Sequence, residues 1–185
     1  MNRKVLTIIL IVALVALLIV ASVWYNNLKD EYANVPAGPE SGENSSAEAA
    51  PDFTVYDGEG NAVNLSDKFG KPIAINFWAT WCGPCKIELP AFDNLYAKYG
   101  DQVEFMMVNM TNGRETEEGV KDFVASNGYS FPVYYDLDMS AAITYNLRTI
   151  PRSVFINSDG TISATHMGVV SEDALEAYIE AIIEN

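Results

Sequence analysis

Cysteine and histidine are nearly missing from this chain of 185 residues, which has two cysteines, Cys82 and Cys85, and one histidine, His166. Two thiols cannot form the bridge framework of a disulfide-stapled miniprotein. With a single imidazole they cannot close a zinc finger or a multi-histidine metal site either. Positive charge is also scarce: 11 Lys and Arg stand against 25 Asp and Glu, a net charge of −14. Phosphate backbones would repel such a chain, and nucleic-acid binding is excluded on that ground. No internal repeat is visible. At roughly 100 to 200 residues per domain, the length allows one globular domain plus accessories. The 49% of hydrophobic residues is enough for its core.

One long apolar run is present. From Val5 to Val23 only Thr7 and Ser22 are polar, and Trp24-Tyr25 follow. At about 1.5 Å per residue this run spans roughly 29 Å, close to the ~30 Å hydrocarbon core of a bilayer. Arg3 and Lys4 precede it, while Lys29 beyond it is offset by Asp30 and Glu31, so the N-terminus is expected in the cytoplasm and the rest outside. A cleaved signal peptide is the rival reading. Its apolar region usually runs about 7 to 15 residues, and Val20-Ala21-Ser22 offers only a weak cleavage site. No cysteine stands near the end of the run for a lipid anchor. Both readings put the remaining chain in an extracytoplasmic compartment, where disulfides persist.

These patterns divide the chain into a cytoplasmic stub with a transmembrane anchor at 1–28, a flexible acidic linker at 29–51 rich in Ala, Gly, Pro, Glu and Ser, and a globular domain at 52–185. The charge divides with them. The first 29 residues carry +3 and the remainder −17.

Within the domain, Phe53 to Tyr56 and Ala62 to Leu65 flank Asp57-Gly58-Glu59-Gly60-Asn61, the pattern of a hairpin. Pro72 to Trp78 and Val103 to Val108 read as buried strands. Between them Leu89, Phe92, Leu95 and Tyr99 recur at helical spacing up to Gly100, which predicts a strand-helix-strand unit with a parallel strand pair. Thr116 caps a second predicted helix with Val120, Phe123 and Val124 inward. Then come a strand at Phe131 to Tyr135, a short helix from Ser140 to Tyr145, a strand at Ser153 to Ile156, and an antiparallel return at Thr161 to His166. A last helix is capped by Ser171. The order is α/β, with helices able to cover both sheet faces.

Trp81-Cys82-Gly83-Pro84-Cys85 sits where a buried strand gives way to a helix. Unpaired N–H groups and the helix dipole favour a thiolate there, so Cys82 is the expected nucleophile and Cys85, one turn inside, the resolving thiol. Two intervening residues let the sulfurs meet in a reversible disulfide. Gly83 relieves crowding, and Pro84 suits a first turn where its missing N–H costs little. A purely structural bridge would close too short a loop to stabilise much. A metal clip would need two further ligands.

Phe77-Trp78-Ala79-Thr80-Trp81-Cys82-Gly83-Pro84-Cys85-Lys86 resembles the active site of thioredoxin-fold proteins. The apolar N-terminal run, the hairpin and Glu88-Leu89-Pro90 resemble in particular the TlpA/ResA group of anchored thiol-disulfide oxidoreductases. The resemblance covers about residues 52 to 185 and implies a thioredoxin-like fold with an N-terminal β-hairpin and a central strand-helix insertion, preceded by a single transmembrane helix. It implies that Thr149-Ile150-Pro151 is the loop whose cis-proline faces the disulfide and exposes the Ile150 backbone to a substrate chain. Arg152 departs from the small hydroxyl residue common at that position. The resemblance also implies that Glu88 is a carboxylate near the cysteines, able to relay the proton of Cys85. Ordinary thioredoxins keep a buried Asp on the preceding strand where this chain has Asn76.

The expected reaction is thiol-disulfide exchange by Cys82 and Cys85 without metal or organic cofactor, with Trp81, Gly83, Pro84, Ile150 and Pro151 meeting the substrate. Gly83-Pro84 is the thioredoxin-like dipeptide, which favours the reducing direction. The implied partners are a disulfide-bearing extracytoplasmic protein and a membrane dithiol donor of the DsbD/CcdA type, and a monomer is expected. Cytochrome c maturation is one family role among several. A disulfide-forming oxidant, a thiol peroxidase and a non-catalytic docking or metallochaperone module are the alternatives. The peroxidase signature, however, needs a proline and a threonine where this chain has Ile75 and Ala79. Trp78 reads equally as core or as cover for the disulfide. His166 reads as structural, and the acidic clusters at 115–118 and 136–138 as solvated caps and turns.

Overall fold

The computed structural model describes residues 48–185. The apolar run expected to span a membrane, and the linker up to residue 47, lie outside the described residues. Among the described residues no helix is long and apolar enough to cross a membrane.

Seven strands form one mixed sheet: β1 (Thr54–Tyr56), β2 (Ala62–Asn64), β3 (Ile73–Trp78), β4 (Glu104–Asn109), β5 (Val133–Tyr135), β6 (Arg152–Ile156) and β7 (Ile162–Met167). Their order across the sheet is β2-β1-β5-β4-β3-β6-β7. The strand made entirely of buried residues, β3, lies inside the sheet between β4 and β6, and the strand that alternates half-buried with exposed residues, β7, takes an edge. The β3–β4 and β4–β5 pairs are parallel and all others antiparallel. The expected hairpin and strand-helix-strand unit are therefore both present. The inserted strand β5 lies between the hairpin and β4 and joins them into one sheet.

Four helices pack on this sheet: α1 (Gly83–Tyr99), α2 (Glu117–Asn127), α3 (Ser140–Thr144) and α4 (Glu172–Ile183). Successive side chains of β3 point to opposite faces. Asn76 and Trp78 meet α1 and α2, on the face where Tyr178 of α4 also stacks on Phe155. Phe77 meets Phe53 and Tyr145, the residue that ends α3, on the other. Thr116 caps α2 by accepting the Gly119 N–H, and Gly128, at φ 70°, ends it in the left-handed conformation that glycine adopts without steric cost. Of the predicted inward face of α2 only Val120 is fully buried, while Phe123 and Val124 are half-buried.

The fold starts earlier than the linker boundary expected at Pro51. The Ala50 N–H donates to the Gly160 carbonyl at 2.9 Å and the Ile162 N–H to the Glu48 carbonyl at 2.8 Å, while Ala50 is buried. Residues 48–50 thus pair with 160–162, the turn before β7 and its first residue, beside an edge that composition alone reads as free. A short 3-10 turn at Leu65–Lys68, where Asp67 Oδ2 accepts both the backbone N–H and the side-chain amide of Asn64, escapes the periodicity because it is a single turn.

Candidate active site

Chain reversal from β3 into α1 places Cys82 at the N-cap of a helix of 17 residues, with Pro84 in its first turn. Cys82 and Cys85 are joined in a disulfide. The Cys85 N–H points at Cys82 Sγ from 3.1 Å, so an orphan helix donor and the positive end of the dipole converge on this sulfur. Cys82 reaches the surface at 5% exposure, whereas Cys85 has none. Only Cys82 can be met by an incoming partner.

The Ile150-Pro151 peptide bond is cis, and the Ile150 carbonyl oxygen lies 3.8 Å from Cys82 Sγ. Ile150 precedes β6, which begins at Arg152. Beside this point opens a groove of about 220 Å³ lined by Trp81, Met110, Met139, Ala142, Leu147 and Ile150 together with the polar Asn112, Arg148 and Thr149. Trp81, half exposed, forms part of its wall, whereas Trp78 is wholly buried against Phe123 and Phe131 and belongs to the core. Gly83 and Pro84 form the exposed first turn of α1 beside the disulfide.

Glu88 lies one turn beyond Cys85 on the same buried face of α1 and is 1% exposed. Its Oε1 accepts from Asn76 Nδ2 at 2.7 Å, and its Oε2 accepts the Val170 N–H at 2.9 Å. Burial pushes its pKa upward. Those two bonds and the nearby His166 pull it partly back. Asn76 Nδ2 also reaches Ser153 Oγ at 3.2 Å, while Asn76 Oδ1 has no partner. If the amide turns over, this oxygen faces both a protonated Glu88 and the Ser153 hydroxyl, so Asn76 can serve either protonation state of the carboxyl. His166, half-buried on β7, approaches the Val169 carbonyl at 3.3 Å and packs near Tyr178, a structural placement beside the loop that holds Glu88.

Two carboxylates that the sequence reads as solvated caps and turns hold backbone in place, one half-buried and one fully buried. Glu115 Oε2 accepts the Thr80 N–H at 2.6 Å and Asn109 Nδ2 at 3.3 Å, and its Oε1 accepts the Thr80 hydroxyl at 2.5 Å. It binds the β4–α2 loop to the segment that carries Trp81 and Cys82. Asp136 has no exposed surface and accepts the N–H groups of Ala141 and Ala142 at 3.0 and 2.9 Å, capping α3 under the groove. Burial raises its pKa against those bonds. The only sequence signal for Asp136 is an acid four residues ahead of a short helix. Glu115 gives none, because its partner is 35 residues away.

A reversible disulfide at a strand-to-helix junction, facing a cis-proline loop across a mixed sheet, is the arrangement of thioredoxin-fold redox proteins. Residues 45–182 match the family model described as Redoxin. The chain is 37% identical over 134 residues to the thiol-disulfide oxidoreductase ResA of Bacillus thuringiensis (strain Al Hakam), covering 72% of this chain and 76% of that one. With the thioredoxin-like protein YneN of Bacillus subtilis (strain 168) it shares 30% identity over 169 residues, 90% and 96% of the two chains. Among solved structures, StoA from Bacillus subtilis superposes with a TM-score of 0.62 at 31% identity, covering 71% of this chain and 98% of StoA. The chain belongs to the Redoxin family and, within it, to the ResA-like thiol-disulfide oxidoreductases. Cys82 and Cys85 are its redox pair.

Proposed function

We propose that this oxidoreductase works outside the cytoplasm, held by its N-terminal apolar run, as a reductase of protein disulfides. The observation that carries the reaction is the asymmetry of the pair: Cys82 at the surface under the helix N-terminus, Cys85 buried beside Glu88. In the reduced enzyme the Cys82 thiolate attacks one sulfur of the substrate disulfide, forming a mixed disulfide and expelling the other sulfur as a thiolate. Cys85 then gives its proton to the Glu88 carboxylate and attacks Cys82 Sγ. The second substrate thiolate leaves, and the enzyme disulfide takes the place of the substrate's. Two electrons have passed to the substrate, and a dithiol donor at the membrane restores them.

The substrate fits as an extended chain along Ile150, with an apolar side chain next to its cysteine. Support comes from the groove, which is mainly apolar and runs from Trp81 to Ile150, the residue whose carbonyl faces Cys82. Direction rests on Gly83-Pro84 between the cysteines. Within this fold thioredoxin lies at about −270 mV and the oxidant DsbA at about −120 mV. A potential for the Cys82–Cys85 couple above about −150 mV, measured in glutathione or dithiothreitol buffers, would overturn the reductase assignment. The reaction itself is tested with Cys85→Ser, which should accumulate a mixed disulfide through Cys82 that wild type resolves. If no adduct forms on a disulfide peptide, the reading fails.

A further inference from the structure

The segment from Asn146 to Pro151 carries Leu147, Arg148, Thr149 and Ile150, four residues of the groove wall, and it leaves α3 at one end and enters β6 at the other. Both ends meet at one contact. Arg152, the first residue of β6, donates from Nη1 to the Tyr145 carbonyl at 2.7 Å, across the base of this loop. That carbonyl belongs to the residue that ends α3, where a cation complements the exposed C-terminal oxygens. Tyr145 is itself fixed, buried between Phe53 and Phe77 with ring centroids 5.5 and 5.4 Å away. Arg152 is therefore tied to a residue packed into the core. The opposite end of α3 is held by the Asp136 carboxylate.

Leu147 and Ile150 pack partly against the core and the Pro151 carbonyl accepts the Gly168 N–H at 2.9 Å, so the least anchored stretch of the loop is Arg148-Thr149. Asn146 takes a positive φ of 47°, uncommon for a residue other than glycine, and its N–H donates to Ile143, while the Leu147 N–H donates to Ala142. Arg148 and Thr149 are exposed. To these anchors the contact at the base adds a side-chain tie between the two ends of the loop.

We infer that Arg152 is a positioning residue for substrate recognition, clamping the 146–151 loop so that the groove wall is set before a disulfide-bearing chain arrives. This rests on the exchange reaction proposed above and adds to it a residue that fixes binding without touching the sulfurs. A preset wall saves the ordering entropy that a mobile loop would lose on binding. Its loss therefore acts on affinity for a chain that fills the groove and leaves exchange with a small disulfide alone.

The test compares two disulfides, a cyclic peptide with apolar residues beside its cysteines and a small aryl disulfide too short to reach the groove. Arg152→Thr should raise KM for the peptide about tenfold, the change worth about 1.4 kcal/mol. Its kcat and its rate with the aryl disulfide should stay within about twofold of wild type. Arg152→Lys, whose longer side chain still carries a donor towards the carbonyl, should recover most of the loss. Amide exchange at residues 146–150 should quicken in Arg152→Thr while that of β3 does not, and this readout needs no substrate. An unchanged peptide KM in Arg152→Thr, equal slowing with both disulfides, or exchange that quickens throughout the domain would overturn the clamp. If Arg152→Thr does not fold, Arg152→Met, which keeps the apolar stem and has no donor, decides: a raised peptide KM and quicker loop exchange support the clamp, and wild-type values refute it. A wild-type protein that reduces neither disulfide would instead overturn the function on which the clamp rests.

Discussion

The Glu115 carboxylate accepts both the backbone N–H and the hydroxyl of Thr80, two residues ahead of Cys82. With Asn109 as a third donor, Glu115 joins the end of β4 to the segment where β3 turns into α1. Trp81 and Cys82 leave this junction in a direction set by Thr80. Glu115→Ala strands all three donors and should lower unfolding free energy by about 1–3 kcal/mol in urea titrations, with slower insulin reduction. Glu115→Gln retains an oxygen for Thr80 and Asn109 and should lose less than half of that. Equal stability of wild type and Glu115→Ala would show that the junction holds without the carboxylate.

Glu88 should leave a pH signature. Its folded pKa is raised by burial, so between the ordinary carboxylate value and the raised one the folded state binds more protons than the unfolded. Stability is thus lost as pH rises through that window. Glu88→Gln does not titrate, and after an Asn76 amide turn it can donate to the oxygen that now lacks a partner. The melting temperature of the variant relative to wild type should climb from about pH 4.3 and level off above the raised value. A difference independent of pH would remove the titration from Glu88. On the mechanism proposed above, in which Glu88 takes the proton of Cys85, the same variant should prolong the mixed disulfide in single-turnover quenches.

Asp136 holds α3 under the groove. Its replacement by Ala leaves the N–H groups of Ala141 and Ala142 buried or half-buried without an acceptor, at a cost of about 1–3 kcal/mol. Asp136→Asn keeps a single acceptor oxygen and should fall between. Equilibrium unfolding checks the order, and an Asn variant weaker than the Ala variant would contradict this account.

Residues 48–50 belong to the domain through two backbone bonds and the buried Ala50. A chain starting at Asp52 should unfold at lower urea than one starting at Ser46, by about 1–2 kcal/mol, because part of the β7 edge returns to water. Identical midpoints would show that this strand contributes nothing.

Local patterning settled much of this protein. Alternation, helical spacing and capping residues lie within a few positions of each other, so the hairpin, the β3–α1–β4 unit, the Thr116 and Ser171 caps and the redox pair could be read along the chain. The Cys-x-x-Cys spacing needs one helical turn and nothing else. Three-dimensional pairing decided the surroundings of that pair. Glu88 owes its buried state to Asn76 on β3 and to the Val170 N–H, 82 residues away. Glu115 and Asp136 look like ordinary surface acids until the ends of β3 and α3 are brought against them. Propensity and periodicity are short-range. Whether a carboxylate is solvated, by contrast, depends on which N–H groups distant segments leave beside it, and the pairing of strands fixes that only once the sheet has formed.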